Sequence, residues 1–329
     1  MLSKRCSLLA AAAVLTLATA APAVAHAGHP HGGSYGASTG AGMPGMDMPE
    51  GTPGARGAAP TAAVHGPATY YEARLTGAQE VQVPGQPPVG DPDGSAVALV
   101  TLKGDRVTFA FRWKNITAPT LGHIHQGRAG VNGDVKVPLF TTPMPDTVTA
   151  AAGQVTVSDT GLARSLRTDP AGFYLNLHTK EFPGGAVRGQ LTPVSHRVNP
   201  LDIIHGTRLL ALADGGQEVK AAGKKVDDPD GHAVAFMDPH GTSIDYSTAW
   251  VNIDEPTLGH IHQGALGVNG DVKVPLFTTP MPQNVFAASG TATGQDPALV
   301  ARIRHNPVGF YFNLHTDQFP DGAVRGQLF

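Results

Sequence analysis

Most of this 329-residue chain is written twice. Thr120 to Pro145 reads TLGHIHQGRAGVNGDVKVPLFTTPMP, and 137 positions later Thr257 to Pro282 repeats it with 24 of 26 residues identical. A second block, Gly172 to Leu191, recurs as Gly309 to Leu328 with 16 of 20 identical. Weaker matches open each unit, at Gly77 to Val81 against Gly215 to Val219 and at Asp91 to Gly94 against Asp228 to Gly231. Each unit is long enough to bury its own core, so the duplication predicts two tandem domains and excludes a solenoid of short repeats.

Within a unit the apolar period is two. Val107, Phe109, Phe111 and Trp113 alternate with Arg106, Thr108, Ala110 and Arg112, which sets one face of a strand toward a core. Further strands are expected at Tyr70–Leu75, Ser95–Leu102, Gly122–His125, Val135–Phe140, Gly153–Val157, Phe173–His178 and Ala186–Leu191, separated by Gly- and Asn-bearing turns. Short helices are expected only near Leu162–Leu166 and Pro297–Arg304. With 41 Gly and 28 Pro, long helices are disfavoured, and the predicted class is all-β: two antiparallel β-sandwich or barrel domains.

The first residues carry a secretory pattern: Lys4 and Arg5, an apolar run from Ser7 to Ala20, and Ala23-Val24-Ala25 as a cleavage site. The expected layout is a signal peptide over 1–25, a disordered His/Met/Gly/Pro-rich tail over 26–66, a first domain over 67–194, a linker over 195–204 and a second domain over 205–329. The product is expected to be extracellular, without a membrane span in the mature chain. The only cysteine, Cys6, falls inside the signal, so neither disulfides nor cysteine chemistry is available afterwards. A formal charge of −3 speaks against nucleic acid as a partner.

The chemistry-bearing residues are histidines. His123 and His125 lie two apart, which puts both imidazoles on one strand face, and Phe173–His178 offers Tyr174, Asn176 and His178 on one face of another. The second unit repeats the set as His260, His262 and His315, whereas its other histidines, His232, His240 and His305, align with Ser95, Lys103 and Thr168. Three imidazoles suit copper or zinc, provided that their nitrogens come within about 4 Å of one another. The alternative is structural: imidazoles donating to backbone carbonyls beneath the Asn132-Gly133 turn. In the tail, His26, His29, His31, Met43, Met46 and Met48 would suit copper capture, or are incidental to a linker. Glu80 with Arg188, and Glu218 with Arg325, are candidate ion pairs tying first strand to last. The Asp91-Pro92-Asp93-Gly94 stretch reads as a turn, lacking the spaced acidic run of a calcium loop.

Read together, L-T-G-A-Q-E-V, G-H-I-H-Q-G-x-x-G-V-N-G and N-L-H-T-x-x-F-P-x-G-A-V-R-G-Q-L resemble the CHRD domain, named after the bone morphogenetic protein inhibitor chordin and also found in secreted microbial proteins. The resemblance covers both units, about Tyr70–Pro193 and His205–Phe329, and implies extracellular immunoglobulin-like β-sandwich modules without an enzymatic activity to carry over. No nucleophile elbow, phosphate loop or dinucleotide fingerprint is present. The leading expectation is a secreted, non-enzymatic binding module engaging an extracellular protein or cell-surface ligand. The alternative is a copper- or zinc-binding carrier or metalloenzyme with one three-histidine site per domain.

Overall fold

The computed structural model describes residues 67–203 and 208–329. The signal and tail assignments, with the tail's histidines and methionines, lie outside them. The described chain is all-β and antiparallel, with two short helices.

In the first unit β1 (Ala68–Thr76), β2 (Ser95–Lys103), β3 (Arg106–Lys114) and β6 (Val148–Thr156) pair in that order. Facing them are β5 (Val135–Phe140), β4 (Leu121–Gln126), β7 (Phe173–His178) and β8 (Val187–Gln190), also antiparallel. A single bridge, Thr76 with Arg188, joins the two sheets, and the short β9 (Thr192–Val194) extends the edge beside β1. Val107, Phe109, Phe111 and Trp113 are buried between the sheets, as their alternation requires. Helix α1 (Thr160–Thr168) crosses from β6 to β7; Asp159 caps it by accepting from the N–H groups of Gly161 (2.7 Å) and Leu162 (3.1 Å).

The second unit repeats this plan. Its first sheet is β10 (Leu209–Asp214), β11 (His232–His240), β12 (Ser243–Val251) and β15 (Val285–Ala292). The second sheet is β14 (Val272–Phe277), β13 (Leu258–Gln263), β16 (Phe310–His315) and β17 (Val324–Gln327), with α2 (Pro297–His305) as the crossover.

The two units share one sheet. β6 pairs antiparallel with β15, Ala152 facing Ala287 and Ala150 facing Ser289. The seam is pseudo-symmetric: Gln154 N–H donates to Asn284 O (2.8 Å) and Thr291 N–H donates to Thr147 O (3.0 Å), the same positions of each repeat. Only glycine permits this approach. A Cβ on Gly153 would lie 2.4 Å from Asn284 O, and one on Gly290 would lie 2.2 Å from Thr147 O. The outer face of the shared sheet carries Ala110, Ala150, Ala152, Val234, Phe236, Ala249 and Ala287 as a second buried cluster, against which Leu201 of the connecting Pro200–Ile203 turn packs.

Candidate metal centres

The β4–β7 register sets His123 beside Asn176 and His125 beside Tyr174, with His178 opposite Leu121. All three imidazoles therefore emerge on one face, and one nitrogen from each lies within 4.8 Å of the others. His260, His262 and His315 are gathered identically by β13 and β16. An ion bonded at about 2.0–2.1 Å to each nitrogen needs spacings of about 3.4 Å; a nitrogen of His123 already stands 3.3 Å from one of His178, and one of His260 stands 3.2 Å from one of His315.

The backbone leaves the right nitrogens free. His125 Nδ1 meets Gly133 O at 2.9 Å and His178 Nδ1 meets Pro183 O at 2.8 Å, which assigns the proton of each ring to Nδ1 and leaves Nε2 with a lone pair. His178 Nε2 sits 3.3 Å from His123 Nδ1. The Nε2 atoms of His123 and His125 are buried without a hydrogen-bond partner, as is that of His262 in the second domain. The carbonyl contacts that the sequence offers as an alternative to metal binding are thus formed, and they orient the rings with a second nitrogen inward. Gly133 is what allows it, because a Cβ there would meet Gln126 O at 1.6 Å.

Burial holds these imidazoles neutral. It lowers the pKa of His123 to about 3 and of His125 to about 4, aided in both by neighbouring imidazoles. His260 falls to about 4 for the same reasons, and His178, His262 and His315 are lowered too, first by burial. The donor set at neutral pH is three uncharged imidazoles, a set that copper and zinc accept and that calcium and magnesium do not favour.

The Glu–Arg pairs proposed from the sequence are not formed as contacts. Arg188, almost fully buried, donates instead to Asn132 Oδ1 (3.0 Å), Arg128 O (2.9 Å) and Val131 O (2.8 Å). Its guanidinium carbon lies 3.4 Å from the centre of the Tyr174 ring, and that ring stacks on His125 at 4.8 Å and 8°. Arg325 repeats this on Asn269, Ala265, Val268 and Tyr311. Glu80 accepts from Asn176 Nδ2 at 2.7 Å, and Glu218 from Asn313. The reason is reach: the 127–133 loop, and its counterpart in the second domain, fold across the arginine and take both of its terminal nitrogens. Burial raises both Glu80 and Glu218 to about 7, while their Asn partners and the nearby arginines pull them down. The sequence places Tyr174 on the face of His178 and names the Asn132-Gly133 turn as a source of carbonyls for the imidazoles, but it gives no sign of the Tyr174 stacking or of the loop's bonds to Arg188. Asp91, for its part, accepts from Gly94 N–H at 3.0 Å, as a turn does.

Two β-sandwich units, each gathering three imidazoles at one end of the barrel, define a tandem all-β module. A model of the CHRD domain matches residues 71–191 and again 209–328, and the chain belongs to that family. No curated protein and no solved structure matches it. No helix among the described residues is long and apolar enough to cross a membrane.

Proposed function

We propose that this protein binds copper or zinc outside the cell, one ion per CHRD domain, through His123, His125 and His178 and through His260, His262 and His315. The observation that carries this reading is the orphaned, buried ring nitrogen in each triad. A buried acceptor left unpaired costs about 1–3 kcal/mol, and a bound ion would remove that cost. When bound, the ion would supply Lewis acidity. The residues themselves supply neutral donors and, at His125, His178, His262 and His315, a tautomer fixed by a backbone carbonyl. The protein is read as a binding protein: the ionisable neighbours of the first triad, Tyr174 stacked on His125 and Glu80 held by Asn176, are engaged in packing and hydrogen bonding.

A second reading, engagement of an extracellular protein or surface ligand, is favoured by the exposed apolar loop tips of the second domain, Leu266, Val268 and Val308. Gln327 ties these loops together through Gly264 O and Val308 O.

The metal reading is tested by elemental analysis of the mature chain, purified without a His tag, after loading with Cu and Zn. About two ions per chain are expected, and none in a His123→Ala, His260→Ala double variant that keeps its circular dichroism. A protein that stays metal-free, or a double variant that keeps both ions, would remove it.

A further inference from the structure

We propose that the two centres are kinetically unequal: the first domain's triad retains its ion, and the second domain's triad exchanges ions with solvent. This rests on the three-histidine reading above and assigns a division of labour within it.

The ligand blocks of the repeats are nearly identical, so the places where they differ are informative. Those places lie on the rims. In the first domain Arg128 Nη2 bonds Asp169 Oδ2 at 2.8 Å, strapping the loop that carries Gly133 to the turn before β7. The second domain has Ala265 and Asn306 at these positions, so the strap has no counterpart. The turn that orients the third histidine differs as well. In the first domain Gly184 lies against Val89 and Pro87, an apolar cover. In the second, Asp321 replaces Gly184 and Lys224 replaces Pro87, and they form an ion pair (2.8 Å) that puts a charged contact where the first domain has an apolar one.

The histidines record the consequence. His123 is 3% exposed against 8% for His260, and His178 is 4% against 7% for His315. His262 is likewise less buried than His125. In the first triad the Nε2 atoms of both His123 and His125 are sealed without a partner; in the second only that of His262 is. An attacking ligand, whether water or a chelating side chain of another molecule, must reach the ion before a ring nitrogen leaves. The second centre gives it access at His260, and the first requires its loop to open.

The test uses the full mature chain loaded to two ions with Zn(II), or with Cu(II) where zinc does not fill the sites. Release is followed after mixing with excess 4-(2-pyridylazo)resorcinol. Two phases of equal amplitude are expected, at least tenfold apart in rate. The fast phase should vanish in a His260→Ala, His262→Ala variant and the slow phase in a His123→Ala, His125→Ala variant. Installing the second domain's rim on the first, Arg128→Ala with Asp169→Asn, should speed the slow phase severalfold at unchanged stoichiometry. One phase at two ions per chain, a fast phase belonging to the first triad, or a slow phase indifferent to the rim exchange would overturn the inference and leave the metal reading standing. A chain that takes up no ion would overturn the metal reading itself.

Discussion

At the scale of single residues, the centre depends on groups that touch no ion. Arg188 spends its hydrogen bonds on the loop whose last carbonyl, Gly133 O, fixes the proton on His125, and it lies on the ring that stacks against that histidine. Arg188→Gln should therefore lower stability by about 2–4 kcal/mol, because a buried guanidinium that holds two loop carbonyls and Asn132 is lost. It should also weaken metal binding at the first triad by about 10–100-fold, as loss of an outer partner does. Denaturant unfolding and titration calorimetry read the two separately, and an unchanged affinity beside lowered stability would make Arg188 a purely structural clamp. The titrating groups predict a second behaviour. The six histidines have folded pKa values below their unfolded 6.5, so their stabilising contribution is present above that pH and is lost as pH falls, through about 3 for His123 and about 4 for His125 and His260. Glu80 and Glu218 act oppositely: raised to about 7, they stabilise fully below 4.5 and lose that contribution as pH rises through 7. Six groups outweigh two, so the midpoint of thermal unfolding of the metal-free protein should fall on acidification from pH 6.5 to 4.5. Replacing His123 and His260 by Gln should flatten that slope.

At the scale of elements, what was legible in the sequence is what a period of two encodes. β3 reads directly from Val107, Phe109, Phe111 and Trp113, and the His-x-His spacing fixes a shared face without any knowledge of the partner strand. The helices expected near Leu162–Leu166 and Pro297–Arg304 form, with Asp159 and Asp296 as the caps that start them. β6 was read only from Gly153 onward, although it begins at Val148. The run from Ala150 to Gly153 is buried on both faces, so the polar-apolar contrast that marks a half-exposed strand is missing. Ala110 lies on the face opposite the large residues of β3, and the second buried cluster covers it there. The partners of Arg188 and Glu80 were illegible, since a pattern along one strand carries no information on which loop folds across its end. The two triads were legible as lists of residues, but their convergence needed the β4–β7 and β13–β16 registers.

At the scale of the whole molecule, the seam turns two domains into one body. β6 and β15 make the first sheets of both units continuous, and Thr147 crosses the seam with its hydroxyl, donating to Leu276 O (2.6 Å) and meeting the Tyr246 hydroxyl (2.9 Å). The linker adds a second tie by laying Leu201 on the outer face of the shared sheet. A sequence duplication joined by ten linker residues would suit two independent beads, each engaging its own ligand; the seam instead fixes the spacing and orientation of the two metal centres. The thermodynamic consequence is that neither domain can unfold without exposing the other's sheet edge and the alanine-rich cluster, so calorimetry of the metal-free chain should show a single cooperative transition. Gly290→Val tests the cause. Its side chain would drive into Thr147 O and the Tyr246 hydroxyl, which a Cβ alone already meets at 2.2 and 2.7 Å. Opening the seam should split the transition in two while metal stoichiometry stays at two, because both triads lie on the opposite sheets, on β4 with β7 and β13 with β16. Two transitions already present in the parent chain would mean that the seam joins the domains without coupling them, and the fixed spacing of the centres would then have to come from the linker turn alone.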